Sequence, residues 1–231
     1  MPRLDVLGVG VLVVTLVGIC NGQAIPVFGL KGDNLGETLR EFREKNSREV
    51  SVSDSINGSF ALRYPVCSGE PMPGKYGDVN YATFALNSDN PPDRGRYQLC
   101  VTSGAIAGAK EPSSATIAGV SARNLFFRFA DQLLFEISAM ISREDFPTLE
   151  RGLTEKYGKP ASSVVEQFQN GYGAKFQGKH MIWISGDAVI EIHERIAGNE
   201  NPISDISIYQ RDEFRIYHRI KPPVVDPAKD L

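Results

Sequence analysis

Period-two alternation is strongest between Leu125 and Ile141. Leu125, Phe127 and Phe129 alternate with Asn124, Phe126 and Arg128, and after Ala130-Asp131-Gln132 the residues Leu133, Phe135, Ile137, Ala139 and Ile141 alternate with Leu134, Glu136, Ser138 and Met140. Successive strand side chains point to opposite faces, so the pattern predicts a β-hairpin with one buried face. Phe126, Leu134 and Met140 make the second face partly apolar, which calls for cover by another element or a partner. A second strand set reads from Ala174 to Ile184, through a turn at Ser185-Gly186-Asp187, to Ala188–Arg195 and then Ile203–Gln210.

Between these sets the period changes. Phe146, Leu149, Leu153 and Tyr157 recur every three to four residues, the stripe of an amphipathic helix. Ser142 with Asp145 reads as a capping box, Pro147 falls in the first turn, and Gly158 before Lys159-Pro160 ends the segment. An earlier helix is predicted over Asp33–Lys45, capped by Asn34 and Glu37, with Leu35, Leu39 and Phe42 on one face. A short helix is predicted over Arg211–Ile220. From Val50 to Ser114 turn residues dominate, and Phe60–Tyr64, Tyr81–Leu86 and Arg96–Val101 read as short β-like pieces. The fold class predicted is α+β: an antiparallel sheet with two or three helices packed on one face, divisible into two divergent helix-plus-hairpin units.

The chain's first segment follows a different rule. Arg3 precedes an apolar run from Val6 to Ile19, and small or polar residues follow up to Ala24. This is the pattern of an export signal over residues 1–24, cleaved between Ala24 and Ile25. An uncleaved anchor over residues 4–20 is the alternative, but it falls short of the roughly 20 apolar residues that span a bilayer. A lipoprotein reading would acylate Cys20, yet Ile19 stands where a small residue is wanted. The mature chain is then one α+β domain over 25–221, with subunits 25–141 and 142–221, and a disordered tail over 222–231. Its expected location is the periplasm or the exterior.

Export changes the reading of the cysteines. Cys67 and Cys100 remain after cleavage, an even pair in an oxidising compartment, and are expected to form a disulfide; two buried free thiols are the alternative. Charge narrows the partners. The chain of 231 residues has 25 Lys+Arg against 28 Asp+Glu, a net charge of -3, so no basic excess is available for a nucleic-acid backbone. An apolar share of 42% supports a true core.

Candidate chemistry is sparse. No G-x-S-x-G, S-x-x-K, H-E-x-x-H or C-x-x-C occurs. Glu136, Glu191 and Glu194 are the in-strand acids, and nothing in the sequence distinguishes one of them. His193 and Glu191 share one face of a predicted strand, and one register of the hairpin would place His180 across from them. That register would assemble a His–Glu–His set, but a one-residue slip turns His180 to the other side of the sheet. The three are therefore read as exposed polar positions, and no catalytic residue, cofactor or metal site is assigned. Gly171-Tyr172-Gly173 with Gly178 reads as a hairpin loop, since no strand leads into a helix there.

Three stretches carry a resemblance: Gly32-Asp33-Asn34-Leu35-Gly36-Glu37-Thr38-Leu39-Arg40-Glu41-Phe42, then Thr116–Val120 with Phe127–Leu133, and Phe146 through Lys156-Tyr157-Gly158-Lys159-Pro160. With these the chain resembles a loose group of uncharacterised exported bacterial envelope proteins, similar in fold to SmpA/OmlA (BamE-like) and β-lactamase-inhibitor-protein-like domains. The resemblance implies a non-enzymatic protein-interaction or scaffold module. Its partner would be an envelope protein, with no nucleic acid, and with the membrane engaged only through the N-terminal signal before cleavage. The alternative is an envelope hydrolase with spatially assembled carboxylates or a metal site.

Overall fold

The computed structural model describes residues 28–30, 32–54, 58–72, 80–103, 116–169, 172–195 and 203–220. The expected signal segment, its Ala24/Ile25 junction, Cys20 and the tail from 222 lie outside the described residues. In chain order the elements are β1 (Gly29–Leu30), β2 (Asp33–Asn34), α1 (Leu39–Asn46), β3 (Arg48–Asp54), β4 (Gly58–Tyr64), β5 (Val66–Cys67), α2 (Tyr81–Asp89), β6 (Tyr97–Val101) and β7 (Thr116–Ile117). There follow β8 (Val120–Ala130), β9 (Leu133–Ser142), a 3-10 turn over Arg143–Asp145, α3 (Phe146–Tyr157), β10 (Ser162–Gln169), β11 (Lys175–Ser185), β12 (Ala188–His193), β13 (Ile203–Gln210) and α4 (Arg211–Tyr217).

One nine-stranded antiparallel sheet dominates, in the order β10-β11-β12-β13-β9-β8-β6-β5, with β7 paired to β8. The sheet runs without a break past the division expected near residue 141, because β13 pairs with β9 along Ile203–Tyr209. The α+β content matches the sequence expectation; the architecture of an antiparallel sheet with two or three helices packed on one face does not, because a nine-stranded sheet dominates and, among the described residues, four short helices flank it. Alternation along the strands sorts buried residues into two clusters on opposite faces. On the first face Phe127, Phe129, Ile137, Trp183, Ile190 and Ile206 pack with Leu39 and Phe42 of α1 and with Phe146, Leu149 and Leu153 of α3. On the second, Tyr97, Leu99, Val101 and Phe135 pack with Ala82 and Leu86 of α2, Tyr217 of α4 and the β3–β4 hairpin. Helices therefore cover both faces, which the sequence reading placed on one. The cause is apolar alternation on both sides of β6, β8 and β9: each side leaves an apolar surface to be covered.

The central hairpin forms as expected, but its burial does not follow simple alternation. Asp131 and Gln132 both take positive φ, 48° and 70°, as a two-residue turn requires. The register then shifts between Arg128 and Phe129, so that Arg128 faces Glu136 while Phe129 faces Leu134. The extra residue, Phe135, is a bulge that places Phe135 and Glu136 on the second face together. Leu134 becomes fully buried on the first face, and Leu133 is 46% exposed.

Other elements depart from the expectation for local reasons. The first helix begins at Leu39, not Asp33. Gly36 at φ 84° breaks the chain there, and Thr38 with Glu41 forms the capping box. The Glu37 side chain does accept from the Asn34 N–H at 3.2 Å, but in a turn after β2. Tyr81–Leu86, read as β-like, is helical: Asn80 caps α2 by accepting from the Thr83 N–H, and Asn90 ends it in the left-handed region. Ser142 makes no cap to α3, because the 3-10 turn intervenes. α3 does carry the predicted stripe, and the Trp183 indole N–H holds its C-terminal Gly158 carbonyl at 2.8 Å. Cys67 and Cys100 are directly opposed on β5 and β6 and form a disulfide, with Cα atoms 4.0 Å apart. No helix among the described residues is long and apolar enough to cross a membrane.

Candidate functional site

The second face of the sheet changes character along its width. Over β6, β8 and β9 it is covered by α2, α4 and a hairpin. Over β10–β13 it carries polar side chains opposite the Ile and Trp residues of the core. The two-residue connection at Gly186-Asp187 sets the β11–β12 register, and that register places His180 directly across from His193 and Ile182 across from Glu191. His193 in turn faces Asp205 on β13. All these residues share one face.

The result is a compact cluster. The His180 and His193 rings stack with centroids 4.2 Å apart and planes 25° apart. His180 Nε2 lies 2.7 Å from Glu191 Oε1, and His193 Nε2 lies 3.5 Å from the same oxygen. The opposite ring nitrogens meet separate carboxylates: His180 Nδ1 is 3.0 Å from Glu166 Oε1, and His193 Nδ1 is 3.1 Å from Asp205 Oδ1. The Tyr209 hydroxyl donates to Glu191 Oε2 at 2.8 Å. One ligand atom each from His180, Glu191 and His193 lies within 4.8 Å of the others. The Asp205 hydrogen bond raises the His193 pKa above its ordinary value, against the effect of burial, with Glu191 and Glu166 adding to the rise. Burial, followed by the bond to Glu191, raises that of Tyr209.

The sequence reading identified these three residues and set them aside on the risk of a slipped register. The structure brings all three together. Asp205 and Tyr209 were missed, because the connection from β12 to β13 is long and fixes no register by itself. Glu166 was missed because β10 was not read as a strand.

The other in-strand acids have structural partners. Glu136 is buried between Arg128 Nη1 at 2.9 Å and His218 Nε2 at 3.0 Å, and Arg128 Nε also meets Asp89 Oδ2 at 3.0 Å. Tyr217 donates to the same Asp89 oxygen at 2.7 Å. This network ties α2, β8, β9 and α4 together. Glu194 accepts from the Lys179 N–H at 3.0 Å and lies outside the cluster.

The edge beside the cluster is the second notable feature. β10 pairs with β11 along all eight of its residues, and no described strand pairs with its outer side. Val164 and Val165 are 47% and 59% exposed. The opposite edge, β5, has two residues. No family model, curated protein or solved structure matches the chain.

Proposed function

We propose that the chain is an exported, non-enzymatic interaction module of the bacterial envelope that receives an extended segment of a partner protein along β10. One observation carries this reading: a regular eight-residue edge strand, Ser162–Gln169, with its outer backbone groups unpaired by any described strand. Exposed edges are usually blunted by Lys, Pro, bulges or brevity. β10 has none of these: its sequence is SSVVEQFQ, its pairing to β11 is unbroken, and its one charge, Glu166, is tied to His180. An added strand would gain main-chain hydrogen bonds, with Val164 and Val165 offering apolar contact on alternate faces. The Cys67–Cys100 disulfide fits a non-cytoplasmic protein and supports export; a mature N-terminus at Ile25 is part of the same reading.

The test is site-specific photocrosslinking in the native envelope with the probe at Gln167. A discrete adduct to another protein is expected, and it should vanish when Val164 and Val165 are both changed to Lys while the circular dichroism is unchanged. An absence of adducts, adducts only to a second copy of the chain, or adducts indifferent to the two lysines would overturn the proposal.

A further inference from the structure

We propose that His180, Glu191 and His193 form a three-ligand site for a divalent transition-metal cation of the zinc(II) class. The inference goes beyond the interaction reading and does not depend on it. Imidazole nitrogen and carboxylate oxygen are the donors such ions take, and three protein ligands leave a fourth position for water. One of the three donor pairs already has a suitable separation, and the others need only side-chain adjustment. A tetrahedral ion with bonds near 2.0–2.1 Å needs ligand atoms about 3.3 Å apart. His193 Nε2 and Glu191 Oε1 are 3.5 Å apart. His180 Nε2 and the same oxygen, at 2.7 Å, must open by about 0.6 Å. The two rings must also splay from their 25° stack. Both movements are side-chain rotations of partly exposed residues.

The surroundings argue for a metal more strongly than the ligands alone. Each proposed ligand has a second polar contact on the side away from the site. Glu166 and Asp205 meet the two Nδ1 atoms, so that in a metal-bound state each would hold the ring proton on Nδ1 and leave Nε2 as the ligand. Tyr209 holds Glu191 Oε2, leaving Oε1 for the ion. Charge points the same way. Glu166, Glu191 and Asp205 crowd one patch, and among the described residues no Lys or Arg forms an ion pair with any of them. Once the imidazoles are neutral, as metal ligation requires, the patch holds three negative charges. A divalent cation between Nε2 and Oε1 offsets two of them at the point where they converge.

The experiment is calorimetric titration of the untagged, chelator-treated protein with zinc(II). One equivalent is expected to bind. His180→Gln, Glu191→Gln and His193→Gln should each abolish that binding, and Asp205→Asn should weaken it by about 10–100-fold. His218→Gln, and Val165→Lys on the other face of β10, should leave it intact. Cobalt(II) added to the unaltered protein needs no variant to fold: it should give the intense visible bands of a four-coordinate ion, with ring-proton shifts at His180 and His193 and not at His218. An absence of saturable zinc binding, zinc binding that survives His180→Gln or His193→Gln, or cobalt bands of a six-coordinate aqua ion would overturn the proposal. Because Val165 lies on the face of β10 away from His180, Val165→Lys weakens strand addition without touching the metal ligands, and failure here is separable from failure of the crosslinking test.

Discussion

Arg128 shows how a single side chain can join four elements. Its guanidinium is buried on the second face, meets Glu136 and Asp89, and hydrogen-bonds Ser138 Oγ at 2.6 Å. The Phe126 and Tyr217 rings lie 5.4 and 5.7 Å from it. Removing one member of a buried ion pair leaves the other charge without compensation, at a typical loss of about 3–5 kcal/mol. Arg128→Leu is accordingly expected to destabilise the protein by that amount in urea unfolding. Adding Glu136→Gln to it should recover part of the loss; a strictly additive double variant would contradict the coupling. In the sequence Arg128 and Glu136 read as polar members of the partly apolar second face, with nothing to say what covers them. Their burial follows from α2 and α4 arriving from distant parts of the chain, which no local pattern encodes. The histidine cluster was closer to legible. A two-residue turn at Gly186-Asp187 is enough to set His180 opposite His193. What the sequence lacked was Asp205, Tyr209 and Glu166, whose strands arrive through longer connections.

Among the elements, α3 is the one that sequence patterning specifies best. Its stripe is buried as predicted, with Phe146, Leu149 and Leu153 against the sheet, and Gly152 lets the helix approach the β7–β8 turn closely enough that an added Cβ would lie 2.7 Å from Ala118 Cβ. Leu149 is fully buried, so Leu149→Ala is expected to lose about 2–5 kcal/mol in denaturant unfolding with the fold retained. A loss below about 0.5 kcal/mol would mean that Leu149 does not face the core. β10 is the opposite case. Its residues are exposed on both faces, so neither period two nor period 3.6 marks it, and only pairing with β11 makes it a strand. α2 was misread because its apolar residues are not segregated to one side. Its helical state rests on the Asn80 cap and on contact of Ala82 and Leu86 with the second core.

For the molecule as a whole, the second core predicts an alkaline limit to stability. Burial pushes the Tyr97 phenol up to about 12, with its hydrogen bond to Glu213 adding to the effect. Burial raises Tyr217 likewise. A phenol near 10 in the unfolded chain and higher in the folded one contributes stability that is fully present below pH 10 and lost as pH rises through the folded value. The urea midpoint should therefore fall between about pH 10 and 12, and Tyr97→Phe should flatten that fall; an identical decline in the variant would assign it to other groups. The two edges of the sheet differ as much as its two faces. One ends in two residues of β5 and the other in eight of β10. If two copies met edge to edge, β10 against β10, the pair would use the long edge of each and leave the two-residue β5 edges of the nine-stranded sheet outward. Growth by strand addition would then stop at two chains. The asymmetry of the two edges thus makes self-pairing along β10 a closed contact of this sheet rather than a step toward a fibre.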